Sequence, residues 1–180
     1  NTEVGLPLTV LRATAETRFL VLEMGARGIG HVADLCRIAP PDVAVVLNVG
    51  TAHLGEFGDR AAIAAAKGEI VEALGPAGVA VLNADDPLVA AMADRTRGTV
   101  LTFGAGPAAQ VRTLDLELDE QARPRFTLRT PDGQTAPVQM GMVGEHLASD
   151  GAAAAAVAWR LGLPLERIAE WLVSARPRSR

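Results

Sequence analysis

The first half of the chain alternates short apolar runs with segments of helical periodicity. The apolar runs, which predict strands buried on both faces, lie at residues 19–22, 43–47, 79–82 and 99–103. Helical patterns follow three of these runs, at residues 31–38, 60–74 and 86–95. Strand–helix alternation of this kind predicts an α/β fold with a mostly parallel, doubly wound sheet flanked by helices.

The second half of the chain has a different pattern. Residues 111–118 and 126–129 alternate apolar and polar positions, and a Pro-Asp-Gly turn at residues 131–133 separates them from residues 136–140. This pattern predicts a small antiparallel sheet with one solvated face. The sheet is inserted before the last two helices of the chain.

Those two helices are expected at residues 148–161 and 163–175. Residues 1–175 are therefore predicted to form one domain, and residues 176–180 the start of a linker.

Composition narrows the possible functions. The chain has 180 residues, 49% of them hydrophobic, which favours one globular domain with a sizeable core. Its net charge is −4 without a basic tract, so no nucleic-acid partner is predicted. No uncharged apolar run approaches the roughly 20 residues that a membrane-spanning helix needs, so no membrane span is predicted. Cys36 is the sole cysteine, which excludes an internal disulfide and fits a cytoplasmic location.

Lys67 is the only lysine among 17 basic residues. It lies between Ile63 and Ile70 on the inward stripe of its predicted helix, where an ammonium is costly unless it is paired or chemically altered. Two interpretations stay open. Lys67 pairs with Glu23 across the strand ends, or it reacts with carbon dioxide to form a carbamate, an oxygen donor suited to magnesium.

Polar residues collect where the predicted strands end. Glu23 follows the first apolar run, residues 48–53 follow the second and end at His53, and Asn83 to Asp86 follow the third. Ligands of parallel α/β sheets bind beyond the carboxyl ends of the strands, so these side chains could converge on one site. The alternative is that Asn83, Asp85 and Asp86 cap the following helix and that His53 is structural.

Several of these segments occur in the order typical of one family. They are Asn-Thr-Glu-Val-Gly-Leu-Pro-Leu-Thr at residues 1–9, Glu-Met-Gly-Ala-Arg-Gly-Ile-Gly-His at 23–31, Asn-Val-Gly-Thr-Ala-His-Leu at 48–54, Ala-Ala-Ala-Lys-Gly-Glu at 64–69, Asn-Ala-Asp-Asp-Pro at 83–87 and Gly-Glu-His at 144–146. The chain resembles the Mur ligases over nearly its whole length. Its Glu-Met-Gly-Ala sequence is similar to the branch that adds D-alanyl-D-alanine to UDP-N-acetylmuramoyl-tripeptide.

The resemblance implies a metal and catalytic site. Glu23 and His53 would bind Mg²⁺, and Lys67 would be carbamylated, with its carbamate also serving the metal. Lys67 and His53 would be the catalytic residues. In the reaction that the resemblance implies, ATP phosphorylates the tripeptide carboxylate, the dipeptide amine attacks the acyl phosphate, and phosphate leaves.

The resemblance also implies contacts with substrates. Asn1, Thr2 and Glu3 would meet the UDP-sugar peptide. Asn83 and His146 would border the ATP site, where Asp150 stands in place of the asparagine that meets adenine. Leu147 likewise replaces a family asparagine. An aspartate still accepts a hydrogen bond from the adenine amino group.

The chain is expected to be the ATP-binding central domain of a monomeric enzyme. The family's phosphate loop is expected upstream of Asn1, and the UDP-binding and C-terminal domains lie outside these residues, so the segment is expected to be inactive and poorly soluble alone. Two alternatives remain. One is a sibling Mur ligase or a folylpolyglutamate synthase-like ligase, and the other is a non-catalytic nucleotide-binding homologue, which Asp150 favours.

Overall fold

The computed structural model describes residues 3–50 and 59–176. Asn1, Thr2, His53 and the tail 177–180 lie outside the described residues. The helices are α1 (Gly5–Val10), α2 (His31–Ile38), α3 (Arg60–Glu72), α4 (Pro87–Ala90), α5 (His146–Arg160) and α6 (Leu165–Ser174), with a 3₁₀ turn at Ala91–Arg95. The strands are β1 (Val43–Val46), β2 (Val79–Asn83), β3 (Thr99–Gly104), β4 (Val111–Leu118), β5 (Pro124–Arg129) and β6 (Thr135–Gln139).

The six strands form one sheet in the order β1-β2-β3-β4-β5-β6. β1 to β4 are parallel, whereas β5 is antiparallel to both of its neighbours. This confirms the predicted α/β class and the antiparallel part before the last two helices. That part continues the parallel sheet, because β4 pairs with the end of β3 at Phe103 and Gly104.

The core lies on both faces of the sheet. Val79 and Val81 of β2 face a cluster that contains α5 and α6, whereas Ala80 and Leu82 face a second cluster that contains α3 and α4. All four side chains are at most 4% exposed, as the continuous apolar run of β2 predicts. Helices on both faces confirm the doubly wound arrangement.

The predicted strand at residues 19–22 is wrong. This segment has no strand pairing, and Phe19, Leu20 and Val21 are 60%, 43% and 90% exposed. An apolar run becomes a buried strand only where neighbouring strands take its backbone hydrogen bonds and packed layers cover its faces. Within residues 3–50 and 59–176, the sheet instead begins at β1.

The predicted helices differ from the observed ones mainly at their ends. The helix expected at residues 86–95 divides into the short α4 and a 3₁₀ turn, while α3 stops at Glu72. Every helix within the described ranges is too short or too polar to span a membrane.

Candidate functional site

The carboxyl ends of β1 and β2 are joined by side chain–backbone hydrogen bonds. Asn83 Nδ2 donates to the Leu47 carbonyl at 2.8 Å, and Asn83 Oδ1 accepts from the Asp85 backbone at 2.9 Å. The Asn83 side chain is buried, so these bonds satisfy polar atoms that would otherwise be costly there. Asn83 therefore holds the loop that follows β1 against the end of β2.

Asp85 and Asp86 also bind backbone amides. Asp86 caps α4 by accepting from Leu88 N at 2.9 Å, and its other oxygen accepts from Val49 N at 2.7 Å. Asp85 accepts from the amides of Ala105 and Gly106 after β3, at 2.6 and 2.9 Å. These contacts support the capping interpretation for Asp86 and add bonds between neighbouring strand ends.

Lys67 extends from α3 to the same edge of the sheet. Its Nζ donates to the Asn48 carbonyl at 2.6 Å, directly after β1. Burial lowers the pKa of Lys67 below its ordinary value, and the nearby charge of Asp86 partly opposes this shift. The amine therefore loses its proton more readily than that of a solvated lysine.

A buried carboxylate on the same helix was not predicted as a functional residue. Glu69 is 7% exposed and accepts from the backbone amides of Gly30 at 2.5 Å and Ala33 at 2.9 Å. Both amides belong to the start of α2, where Gly30 occupies the N-cap position without a side chain. The sequence contained one signal for such a residue. The first backbone amides of a helix need hydrogen-bond partners, and the glycine at the N-cap position of α2 cannot supply one from a side chain.

Glu3 is linked to the start of α2 through His31. The backbone amide of Arg27 donates to His31 Nδ1 at 3.2 Å, which leaves Nε2–H to donate to Glu3 Oε2 at 3.1 Å. Arg27 Nη1 also lies 3.5 Å from Glu3 Oε1. A backbone hydrogen bond and then the bond from His31 lower the pKa of the Glu3 carboxyl group.

The other predicted site residues occupy two places. Glu23 lies exposed in the loop after residues 19–22, and its neighbour Met24 contacts Cys36 of α2 at 3.7 Å between sulfur atoms. His146 begins α5, and Asp150 follows one turn later. Since α5 starts after the parallel-directed β6, both residues lie towards the carboxyl edge of the sheet.

The structure therefore brings Lys67, Asn83 and the loop after β1 together at one edge. Among the described side chains, no three histidine, cysteine, aspartate or glutamate residues are grouped closely enough to hold a metal ion. Glu23 and Lys67 remain candidate ligands, while His53 lies outside the described residues.

Comparison with known proteins identifies the family. The chain is 50% identical over all 180 residues to the UDP-N-acetylmuramoyl-tripeptide–D-alanyl-D-alanine ligase of Mycobacterium tuberculosis, and it spans 35% of that protein. The fold matches a crystal structure of MurF from Acinetobacter baumannii with a TM-score of 0.91 and 35% identity, over 99% of this chain and 39% of the other. MurF ligase from Thermotoga maritima in complex with ADP matches with a TM-score of 0.83 and 34% identity, over 99% and 40% of the two chains. Residues 1–158 match the Mur ligase middle domain, and the chain belongs to this family.

Proposed function

We propose that the chain is the middle domain of a ligase that uses ATP to join D-alanyl-D-alanine to UDP-N-acetylmuramoyl-tripeptide. The observation that carries this proposal is the 50% identity, over the whole chain, with the mycobacterial ligase of that name. The chain spans 35% of that relative, so the activity is proposed for the longer protein that contains these residues.

Lys67 is the proposed carbamate. The neutral amine adds to carbon dioxide and releases one proton, which gives an N-carboxylate with two oxygen atoms. The lowered pKa of Lys67 favours this step because it increases the fraction of neutral amine. The 2.6 Å hydrogen bond to the Asn48 carbonyl keeps the nitrogen at the end of β1.

Glu23, His53 and the carbamate of Lys67 are the proposed Mg²⁺ ligands. The donor set fits a hard cation, because the carboxylate of Glu23 and the carbamate proposed at Lys67 are both oxygen donors. When bound, Mg²⁺ would neutralise charge on the phosphoryl oxygens of ATP. The protein's part would be to hold Lys67, through its bond to the Asn48 carbonyl, and Glu23 where they can bind the metal.

Glu3, together with Asn1 and Thr2, is proposed to meet the UDP-sugar peptide. The bond from His31 holds the Glu3 carboxylate in one place beside the Glu23 loop. His146 and Asp150 are proposed to face the nucleotide from the first turns of α5. Asn83 is proposed to shape the same border, since both polar atoms of its amide group already bind backbone groups.

Phosphate release by the full-length protein tests the proposal. We expect release that requires ATP, Mg²⁺, the UDP-tripeptide and D-alanyl-D-alanine together. Lys67→Ala should reduce the rate by at least about a hundredfold, because the proposed carbamate is lost. Arg97→Ala, which removes an exposed cation, is the control.

The pattern of substrates distinguishes the alternatives. Strict dependence on a different amino component would identify a sibling ligase instead. A folded protein that binds nucleotide without releasing phosphate would favour the non-catalytic homologue, and Asp150→Asn would then test whether the replaced residue is responsible. A cytoplasmic location and a monomeric state remain predictions.

A further inference from the structure

We propose that Glu69 is a positioning residue that fixes α2, and through α2 the Glu23 loop and Glu3, relative to Lys67. This inference rests on the proposed function, because Glu23 and Lys67 act on the metal only within it. In this proposal Glu69 acts through its hydrogen bonds to the backbone amides of α2.

Glu69 attaches α2 to α3. Both carboxylate oxygens of Glu69 accept backbone hydrogen bonds, from Gly30 and from Ala33. The carboxylate lies at the positive end of the α2 dipole, and hydrogen bonds to a charged acceptor are stronger than neutral ones. Because Glu69 is buried, α2 cannot move away from α3 without leaving an unpaired charge and unpaired amides.

Helix α2 in turn contacts the segments that carry Glu23 and Glu3. Cys36 contacts Met24, which adjoins Glu23, and His31 accepts from the amide of Arg27. His31 also holds Glu3 through its other ring nitrogen. The loop that carries Glu23 therefore contacts α2 at Met24 and at Arg27, and Glu3 contacts the first residue of α2.

Glu69 also lies close enough to Cys36 of α2 to affect its thiol. Burial, followed by the charge of Glu69, raises the pKa of the Cys36 thiol to about 11. Cys36 stays a neutral thiol that packs against Met24 under physiological conditions. The same carboxylate thus contacts the start of α2 and influences the residue that holds Met24.

Glu69 lies on α3, two positions after Lys67. Lys67 and Glu69 share one helix, so the distance between Lys67 and α2 depends on the two hydrogen bonds of Glu69. Outer residues that orient metal ligands commonly change metal affinity or activity by 10- to 100-fold when they are replaced. A shift of about 1 Å at a reacting group has an effect of similar size.

The experiment compares Glu69→Gln with Glu72→Gln in the full-length protein. Glutamine keeps the volume of Glu69, but its amide NH₂ faces one of the two backbone amides and cannot accept from it. Glu72 is on the same helix and pairs with Arg95 at the surface, at 2.8 Å, which makes it a matched control. Three quantities are measured: hydrogen exchange of residues 23–33, affinity for Mn²⁺ in the presence of ATP, and kcat and KM for phosphate release.

We expect Glu69→Gln to speed exchange at residues 23–33, to weaken Mn²⁺ binding about tenfold and to lower kcat about tenfold or more. The KM for D-alanyl-D-alanine should change less than twofold, since Glu69 lies away from that substrate in the proposal. Glu72→Gln should match the wild type in all three measurements. If Glu69→Gln does not fold, Glu69→Asp replaces it, because it keeps the charge and shortens the reach by one methylene.

Faster exchange with unchanged Mn²⁺ affinity and kcat would overturn the proposal and leave Glu69 as a helix cap. Equal effects of Glu69→Gln and Glu72→Gln would overturn it too, because they would reflect the charge of α3 alone. If the wild-type protein releases no phosphate, the proposed function fails. The exchange and Mn²⁺ measurements would still decide the role of Glu69.

Discussion

At the scale of single residues, Lys67 shows how burial changes the chemistry of one amine. The ordinary pKa of lysine is 10.5, and burial lowers that of Lys67. Between the lowered value and 10.5, the unfolded chain binds more protons than the folded chain, so stability rises with pH in that window. Below the lowered value, the penalty for burying the ammonium is present in full.

The same shift predicts how carbamylation depends on pH. Only the neutral amine adds carbon dioxide, so carbamate at Lys67 should appear at a lower pH than carbamate on a free lysine side chain. Carbon-13 NMR of the full-length protein in labelled bicarbonate measures this as the carbamate signal that the wild type has and Lys67→Arg lacks. Lys67→Arg is the control, because an arginine side chain does not form this carbamate. Identical carbamate spectra of the wild type and Lys67→Arg would contradict the assignment.

Gly98 carries a second prediction at this scale. A Cβ atom at Gly98 would lie 2.3 Å from the carbonyl oxygen of Gly78, which accepts from the amide of Thr99 at the start of β3. The obstacle is backbone, so Gly98→Ala should reduce the free energy of unfolding by about 2 kcal/mol. Urea denaturation measures the change.

Gly75→Ala is the matched control for Gly98→Ala. A Cβ atom at Gly75 would meet nothing within 4 Å, and its φ lies outside the left-handed region. The alanine should be neutral or raise the free energy of unfolding by up to about 1 kcal/mol, because it restricts the unfolded chain. Equal stability of the two variants would show that the approach of Gly98 to Gly78 is relieved by movement of the backbone.

At the scale of elements, the strands predicted from continuous apolar runs formed where packed layers cover both faces of the run. Residues 43–47, 79–82 and 99–103 became β1 to β3, with packed helices on the two sides. Residues 19–22 have the same pattern but no neighbouring strand within the described part of the chain. The apolar pattern shows that a segment is suited to burial. Whether the segment forms a strand depends on which other segments lie beside it and pair with its backbone.

The candidate site could be predicted only in part for the same reason. Lys67 and Asn83 follow from local rules, because each combines a polar group with a predicted inward or strand-end position. Glu69 depends on α2 and α3 meeting across 36 to 39 residues of sequence separation, which no local pattern contains. Gly30 at the start of α2 indicates that no local side chain caps this helix, but the sequence does not indicate which distant residue does so.

Asp86 carries a prediction at the element scale, because it joins the end of β1 to the start of α4. Asp86→Ala removes the cap on Leu88 and the bond to Val49, so the free energy of unfolding should fall by about 2 kcal/mol. Asp86→Asn keeps one acceptor oxygen and should lose about half as much. Asp94→Ala, at an exposed position of the 3₁₀ turn, is the control. A loss in Asp86→Asn as large as in Asp86→Ala would show that the charge, and not the two bonds, stabilises this corner.

At the scale of the whole molecule, apolar surface is unevenly distributed. The core clusters are well buried on both faces of the sheet, yet the N-terminal region has a series of exposed apolar side chains. They are Val4 (66%), Leu8 (58%), Leu11 (79%), Phe19 (60%) and Val21 (90%). In the described part of the chain β1 is also an edge strand, which leaves backbone groups available for pairing.

This distribution predicts that the 180-residue chain self-associates when it is prepared alone. Exposed apolar side chains beside an unpaired strand edge favour contacts between copies at micromolar concentrations. Val21→Lys should shift the chain towards monomer in light scattering without lowering its melting temperature, because Val21 is 90% exposed and contributes little to packing. Val143→Lys, at an apolar position in another region that is 63% exposed, should leave association unchanged. If the wild-type chain is monomeric and melts cooperatively, the N-terminal apolar surface is not a site of self-association. If both lysine variants suppress association equally, net charge and not this surface controls solubility.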